Sequence, residues 1–242
     1  MKGITSSQAI GVLFVMMLGV SGASAFESWN AADEFDLDFN PAALYPWSYG
    51  GGTGTQFQLA EIKYSAYGLA GWNRYSVGYL YPDIRKNVSG GTLTIDDVGQ
   101  DGLVPKDAVT FAPNFASPET GTIRWTAPFT GQFRVDCDFT GVYEYTGTSY
   151  PHGTNVDVFV FVQGVQEFSD NILNHGTTGF QKTYSLAEGS TVDFAVGYGP
   201  NETGDWDRVI LDATITEVPE PATLSLLALG GLAVLRRRRA ER

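Results

Sequence analysis

One cysteine, two histidines and a charged fraction of only 17 % set the first limits on this chain of 242 residues. A lone Cys137 excludes an intramolecular disulfide framework, and it alternates in phase with apolar neighbours as a buried filler would. His152 and His175 stand in Pro-His-Gly and Asn-His-Gly loops without metal-ligand spacing, so both read as exposed loop residues. Basic residues are also few, 15 against 27 acidic, and a net charge of −12 excludes nucleic acid, whose phosphates need a basic surface. No G-x-S-x-G elbow, Walker loop or dinucleotide fingerprint is present. Gly50-Gly51-Gly52-Thr53-Gly54 lacks the strand-to-helix context of a phosphate loop and reads as a flexible loop. No convincing amphipathic helix pattern occurs, and long apolar runs are confined to the two ends.

What is there is apolar and glycine-rich: 43 % hydrophobic, 13 % aromatic and 29 glycines, enough for one domain with a substantial core. The N-terminal end reads as a signal peptide, residues 1–25. Lys2 is the basic start, Ile10 to Val20 the apolar stretch, and Ala23-Ser24-Ala25 the small-x-small site that a signal peptidase accepts, with cleavage after Ala25. The C-terminal end, residues 218–242, has three parts: Val218-Pro219-Glu220-Pro221, an uncharged apolar segment 222–235, and the cluster Arg236, Arg237, Arg238 and Arg239. Fourteen helical residues span roughly 21 Å, short of a ~30 Å hydrocarbon core. The order decides the reading: a helix-breaking Pro-x-Pro, an apolar helix, then arginines that stay cytoplasmic and snorkel to the interface.

This ending resembles the PEP-CTERM sorting signal of exported bacterial proteins, with Val218, Pro219, Glu220 and Pro221 matching its signature. The resemblance implies an exosortase-type protease as partner, an inner-membrane intermediate, removal of the tail, and delivery to the cell surface or an extracellular polysaccharide matrix. An ordinary single-pass anchor is the alternative. Without both ends, residues 26–217 keep 9 basic and 25 acidic residues, a net charge of −16, which favours solubility and attracts counter-ions such as calcium.

Within that domain period-two alternation dominates. Phe133, Val135, Cys137 and Phe139 alternate with polar residues, as do Val192 to Tyr198 and Val209 to Ile215, the pattern of strands with one face in a core. Val156 to Val162 is apolar on nearly both faces and is expected to lie centrally. Thr122 to Thr126, Gln181 to Leu186, Thr92 to Ile95 and Gln56 to Ile62 complete the expected strands, with turns at Pro128 to Gly131, Glu188-Gly189 and Gly199-Pro200-Asn201. Phe35 to Phe39 is expected as an edge strand and Asn40 to Gly54 as the loop after it. The expected fold is all-β, an antiparallel β-sandwich of jelly-roll type.

Three stretches, Asn40-Pro41 with Pro46 to Gly50, Ile123 to Pro128 with Gly131, and Val192 to Gly199, resemble segments of the sandwich ectodomains that accompany PEP-CTERM tails and of sugar-binding sandwich modules. The resemblance supports architecture and implies a carbohydrate-binding, non-catalytic role. Trp47, Tyr49, Trp72, Tyr75, Tyr143, Tyr145, Tyr150 and Trp206 fall in or beside expected loops, where flat rings stack on sugars. Trp72 and Trp206, with Trp47 and Tyr49, are the candidate glycan-binding residues; the competing account makes such rings loop anchors packed on the core. Asp205, Asp207 and Asp212, with Asp36 or Asp38, could supply oxygen ligands to a structural calcium, the one candidate cofactor, or be solvated loop carboxylates. No catalytic residue is assigned. The rival functions are a purely structural or adhesive matrix protein and a secreted glycan-active enzyme, the latter needing two carboxylates facing a cleft.

Overall fold

The computed structural model describes residues 26–74, 82–97, 100–114, 118–145, 153–200, 202, 204 and 207–219. The expected signal peptide with Ala23 and Ala25, the tail from Glu220 onward with Pro221, segment 222–235 and the arginine cluster, and Trp206, Asp205, Tyr75, Tyr150 and His152 lie outside them. In chain order the strands are β1 (Ser28–Asn30), β2 (Trp47–Gly51), β3 (Gln58–Leu59), β4 (Ile62–Ala66), β5 (Leu69–Asn73), β6 (Asp83–Asn87), β7 (Leu93–Asp97) and β8 (Gln100–Val104). They continue as β9 (Val109–Ala112), β10 (Gly121–Thr126), β11 (Gly131–Gly141), β12 (Tyr143–Tyr145), β13 (Asn155–Val162), β14 (Val165–Leu173), β15 (Thr177–Leu186), β16 (Thr191–Tyr198) and β17 (Val209–Val218). Among the described residues no helix is long and apolar enough to cross a membrane.

The strands form an antiparallel sandwich, as the alternation predicts. One sheet has the order β15-β11-β17-β9-β6-β5-β4 with β1 beside β17; the other has β14-β13-β16-β10-β2-β3; a small sheet, β12-β8-β7, stands apart. Period two sends Phe133, Val135, Cys137 and Phe139 of β11 into the core, opposite Val156, Val158, Val160 and Val162 of β13 and Val192, Phe194 and Val196 of β16. Ring pairs bridge the layers, with Trp125 5.1 Å from Phe133 and Phe139 6.5 Å from Phe194. Each such ring, fully buried, contributes about 1.5–3 kcal/mol. A buried ion cluster fixes the start of β17. Arg208 donates through Nη2 to both oxygens of Asp83 and through Nη1 to Thr110 Oγ1, while Arg85 pairs with the same carboxylate.

The structure corrects the N-terminal third. Phe35 to Phe39 is not a strand, because the Asp36 carboxylate accepts hydrogen bonds from the backbone N–H of Asp38, Phe39 and Ala43 and ties the segment into a loop. The strand that closes this part of the sheet is β1, seven residues earlier and paired with β17. Within the expected loop Asn40 to Gly54 lies β2, buried throughout and paired with β10. Its glycines read as turn residues, yet Gly50 serves close approach, since a Cβ there would meet Gln58 O at 2.1 Å. Gln56 to Ile62 is divided between a 3-10 turn, β3 and the start of β4, the two strands going to different sheets. β13 is central, between β14 and β16, with its valines inward and Phe159 and Phe161 half-buried on the outer face.

Candidate functional site

The same alternation that buries Ile123 and Trp125 turns Arg124 to the outer face of the six-stranded sheet, and Val192 and Phe194 do the same for Asp193. The two residues are direct cross-strand partners. Arg124 Nε donates to Asp193 Oδ1 at 2.6 Å and Nη2 to Oδ2 at 2.8 Å, a bidentate pair whose carboxylate is wholly buried. A buried charge is tolerated only when paired and hydrogen-bonded, and the chain supplies the remaining bonds from Gly54. Gly54 N–H donates to Asp193 Oδ2 at 2.8 Å, and Gly54 O accepts from Arg124 Nη2 at 2.7 Å. Gly54 has φ +53°, and a Cβ there would lie 3.1 Å from the Gly164 backbone, so glycine suits both the conformation and the approach. The Phe57 ring stacks on the guanidinium, its centre 4.0 Å from Cζ.

Above this pair opens a cleft of about 640 Å³, lined among others by Thr53, Thr55, Arg124, Gln163, Glu188 and Thr191. Its walls are three turns: the loop after β2, the β13–β14 turn with Gln163 at φ 52° and Gly164 at 77°, and the β15–β16 turn with Gly189 at 80°. On the other side of Thr53 lies a second hollow of about 410 Å³, between Gln56, Gln58, Thr120 and the Arg74–Glu119 pair. The first cleft is polar and pre-shaped. Its arginine is neutralised by Asp193, leaving Glu188 as the carboxylate turned to solvent.

Of the residues expected to stack on sugars, the described Trp47, Tyr49 and Trp72 do not line this cleft. Trp47 and Tyr49 are fully buried in the core and Trp72 is 5 % exposed. Trp47 Nε1 donates to Glu34 Oε2 at 2.8 Å, Trp72 Nε1 donates to Asp36 O at 2.8 Å, and the Tyr49 ring lies 4.4 Å from that of Phe35. These three anchor the loop before β2 to the core, and their expected partial exposure does not hold. Burial drives the Tyr49 hydroxyl well above the ordinary phenol range. Among the described residues, exposed rings include ones the sequence did not single out as stacking rings, such as Phe39 at 59 % and Tyr67 at 90 %. Tyr143 is buried over Gly102.

The carboxylates proposed for calcium are dispersed in role. Asp207 is buried and accepts the Asn155 N–H at 2.9 Å; Asp212 is exposed on β17 beside Asn30; Asp38 pairs with Lys63; Asp36 serves its own loop. Among the described residues no three His, Cys, Asp or Glu side chains converge on a metal-sized site. His175 is half-buried, its Nε2 2.9 Å from Val142 O. Cys137 is buried as expected, and burial pushes its thiol up to about 12. Arg124 and Asp193 were missed as site residues. The available signal was a charged residue at the outward position of each of two otherwise apolar strands.

No curated protein sequence matches the chain. Among solved structures, similarity is found to CBM51-2 with INT domains from Clostridium perfringens ZmpB in complex with GlcNAc, at 15 % identity and TM-score 0.35, covering 60 % of this chain and 29 % of that one. CBM51 from Clostridium perfringens GH95 in complex with methyl-galactose matches at 17 % identity and TM-score 0.33, covering 58 % and 90 %. The tandem CBM51 modules of a family 98 glycoside hydrolase from Streptococcus pneumoniae match at 11 % identity and TM-score 0.37, covering 57 % and 41 %. The chain thus spans less than a third of the first of these, and likenesses of this extent assign it no ligand. The tail is more specific: residues 217–239 match the PEP-CTERM protein-sorting motif, the ending read from Val218-Pro219-Glu220-Pro221 and the arginines that follow.

Proposed function

We propose that this chain is an exported, surface-directed protein, sorted through its tail by an exosortase-type protease, whose sandwich binds a glycan without catalysis in the cleft beside Arg124. The observation that carries the reading is the cleft itself: a fixed, charge-balanced floor under hydroxyl, amide and carboxylate groups, the complement of a neutral ligand rich in hydroxyls. Inverting or retaining glycoside hydrolysis needs two working carboxylates. Here Asp193 is locked in its ion pair, which leaves Glu188 as the carboxylate turned to solvent among the described lining residues. Trp206 lies outside the described residues and is tested separately from the cleft.

A glycan array followed by calorimetry on the exported protein tests this. Glu188→Ala is expected to weaken binding about tenfold, the loss of one charge-assisted hydrogen bond. Trp72→Ala is expected to lower stability by about 3–5 kcal/mol and leave the affinity of the folded fraction unchanged. Loss of binding in Trp206→Ala alone would move the site from the cleft to Trp206. Absence of binding by the wild type would favour a structural matrix protein, and release of sugar product would favour an enzyme. Running the array with calcium and with chelator tests a structural calcium at Asp205, Asp207 and Asp212.

A further inference from the structure

β13 carries two aromatic rings on the face that the core does not use. Alternation sends Val156, Val158, Val160 and Val162 inward, so Phe159 and Phe161 turn to the outer face of the six-stranded sheet. Both are half-buried, with ring centres 5.8 Å apart and planes 38° apart. Phe161 is the cross-strand partner of Asp193, itself the partner of Arg124, and Gln163, two residues further on, lines the cleft. The rings therefore continue the cleft floor along β13. Small residues stand beside them on β16, and Phe159 lies over Gly197, where a Cβ would come within 3.3 Å of its Cε2.

Neutral hydrogen-bonding groups border the rings. On β14, Ser169 pairs with Phe159 and Gln166 with Phe161; both are exposed, and Gln166 Nε2 donates to Ser169 Oγ at 3.2 Å. Asn171 follows, exposed, its Nδ2 donating to Asp157 Oδ1 at 3.1 Å. The carboxylates that β13 and β16 turn to this face, Asp157 and Asp193, are thus engaged by Asn171 and by Arg124. Rings in the middle, amides and a hydroxyl at the edge, and balanced charge complement a neutral chain with C–H faces and hydroxyl edges.

We propose that this strip extends the cleft and that its occupant is an internal stretch of a neutral polysaccharide with equatorial linkages, lying along β13 with successive sugars on Phe161 and Phe159. The proposal rests on reading the cleft as a glycan site and names the class of glycan. Equatorial linkages give an extended ribbon whose sugars present their axial C–H groups to flat surfaces in succession. Such a ribbon turns from one sugar to the next, in keeping with the angle between the two ring planes. An axially linked chain coils and brings a single sugar into reach. From Gln163 to Asp157 the strand runs roughly 20 Å, so several consecutive sugars are engaged rather than a chain end.

Affinity electrophoresis of the exported protein in konjac glucomannan, arabinoxylan and hydroxyethylcellulose, with dextran as the coiled counterpart, tests the class. Retardation by at least one of the first three, and none by dextran, is expected. Calorimetry with the matching hexasaccharide and trisaccharide then locates the rings. The wild type is expected to bind the hexasaccharide at least tenfold more tightly than the trisaccharide. Phe159→Ala, which removes the ring further from the cleft, is expected to lose roughly tenfold for the hexasaccharide and little for the trisaccharide, while Phe161→Ala weakens both, the fold-change of one lost stacking ring. Phe159→Tyr keeps the ring and is expected to stay within twofold of wild type. Where circular dichroism shows Phe159→Ala to be unfolded, Phe159→Leu, with apolar bulk but no flat face, takes its place. Equal affinity for the two lengths, or hexasaccharide binding that both ring variants leave unchanged, would overturn the proposal, and a loss in Glu188→Ala under those conditions would leave the cleft reading standing. Retardation by dextran alone would likewise overturn the proposal, and retardation by none of the four would overturn the cleft reading together with it.

Discussion

Asp36 shows how one side chain redirects a segment with strand-like alternation. Burial raises its carboxyl, but hydrogen bonds from the N–H of Asp38, Phe39 and Ala43, with the charge of Lys63, outweigh it and hold the group below the ordinary carboxylate range. A depressed folded-state value contributes stability that is present above the unfolded-state value and is lost as pH falls through the folded one. Glu34, raised chiefly by burial, acts in the opposite sense, its contribution fading as pH rises through the folded value. Asp36→Asn keeps one acceptor oxygen of two, and is expected to cost about 1–2 kcal/mol at neutral pH. That cost should shrink below the ordinary carboxylate range, where wild-type Asp36 is itself protonated. Urea unfolding of both proteins across pH 2–7 reads the difference; a gap that stays constant with pH would refute the assignment.

At the scale of elements, the sandwich is closed differently on its two open sides. Between β14 and β15, Lys182 Nζ and Tyr184 Oη both reach Glu167 Oε2, at 2.6 and 3.0 Å, and Phe168 packs 5.5 Å from Phe180. An inward-turned lysine on an edge strand also discourages pairing with a second chain. On the other side the Asp36 loop is held by Asn40, whose Nδ2 donates to Tyr49 O and Ala60 O. β1 has only three residues, so its pairing with β17 depends on Trp29, whose ring lies 5.4 Å from that of Trp125 and 5.9 Å from that of Phe133. Trp29→Ala is expected to destabilise the domain by about 3–5 kcal/mol. The loss should concentrate locally, with faster amide exchange at Ile215 and Glu217, on the β1 side of β17, than at Val209 and Leu211, on the side covered by β9. Uniform acceleration along β17 would show that β1 contributes only to global stability.

For the whole molecule, the sorting motif of the tail can be tested apart from the sandwich. Replacing Pro219, Glu220 and Pro221 with alanine is expected to leave the apolar segment attached and retain the protein in the inner membrane, because the motif for recognition is gone while the anchor persists. Fractionation of the native host measures this, and normal surface delivery of the variant would mark the tail as an ordinary anchor. The domain should fold equally well in both proteins, since its last paired residue is Val218.

Alternation in β11, β16 and β17 and the Val218-Pro219-Glu220-Pro221 ending with its arginines were enough for the sequence by itself to determine an antiparallel β core and a sorting motif of exported proteins. These features are local: a period of two, or a run of residues, carries its meaning without knowing what lies across from it. The strand β2 was illegible because its glycines mean turn in sequence and close approach in space, and only the Gln58 carbonyl lying against Gly50 distinguishes the two. The same holds for the tryptophans. Trp47 follows Pro46 and Trp72 follows Gly71, as exposed loop rings would, yet burial depends on the neighbours that the fold brings from 13 and 36 residues away, Glu34 and Asp36. Arg124 and Asp193, 69 residues apart, became a site only when β10 and β16 paired, because the energy of a buried charge is set by its partner. Which strands become neighbours is a property of the whole packed chain, and that is what the tertiary structure alone decided.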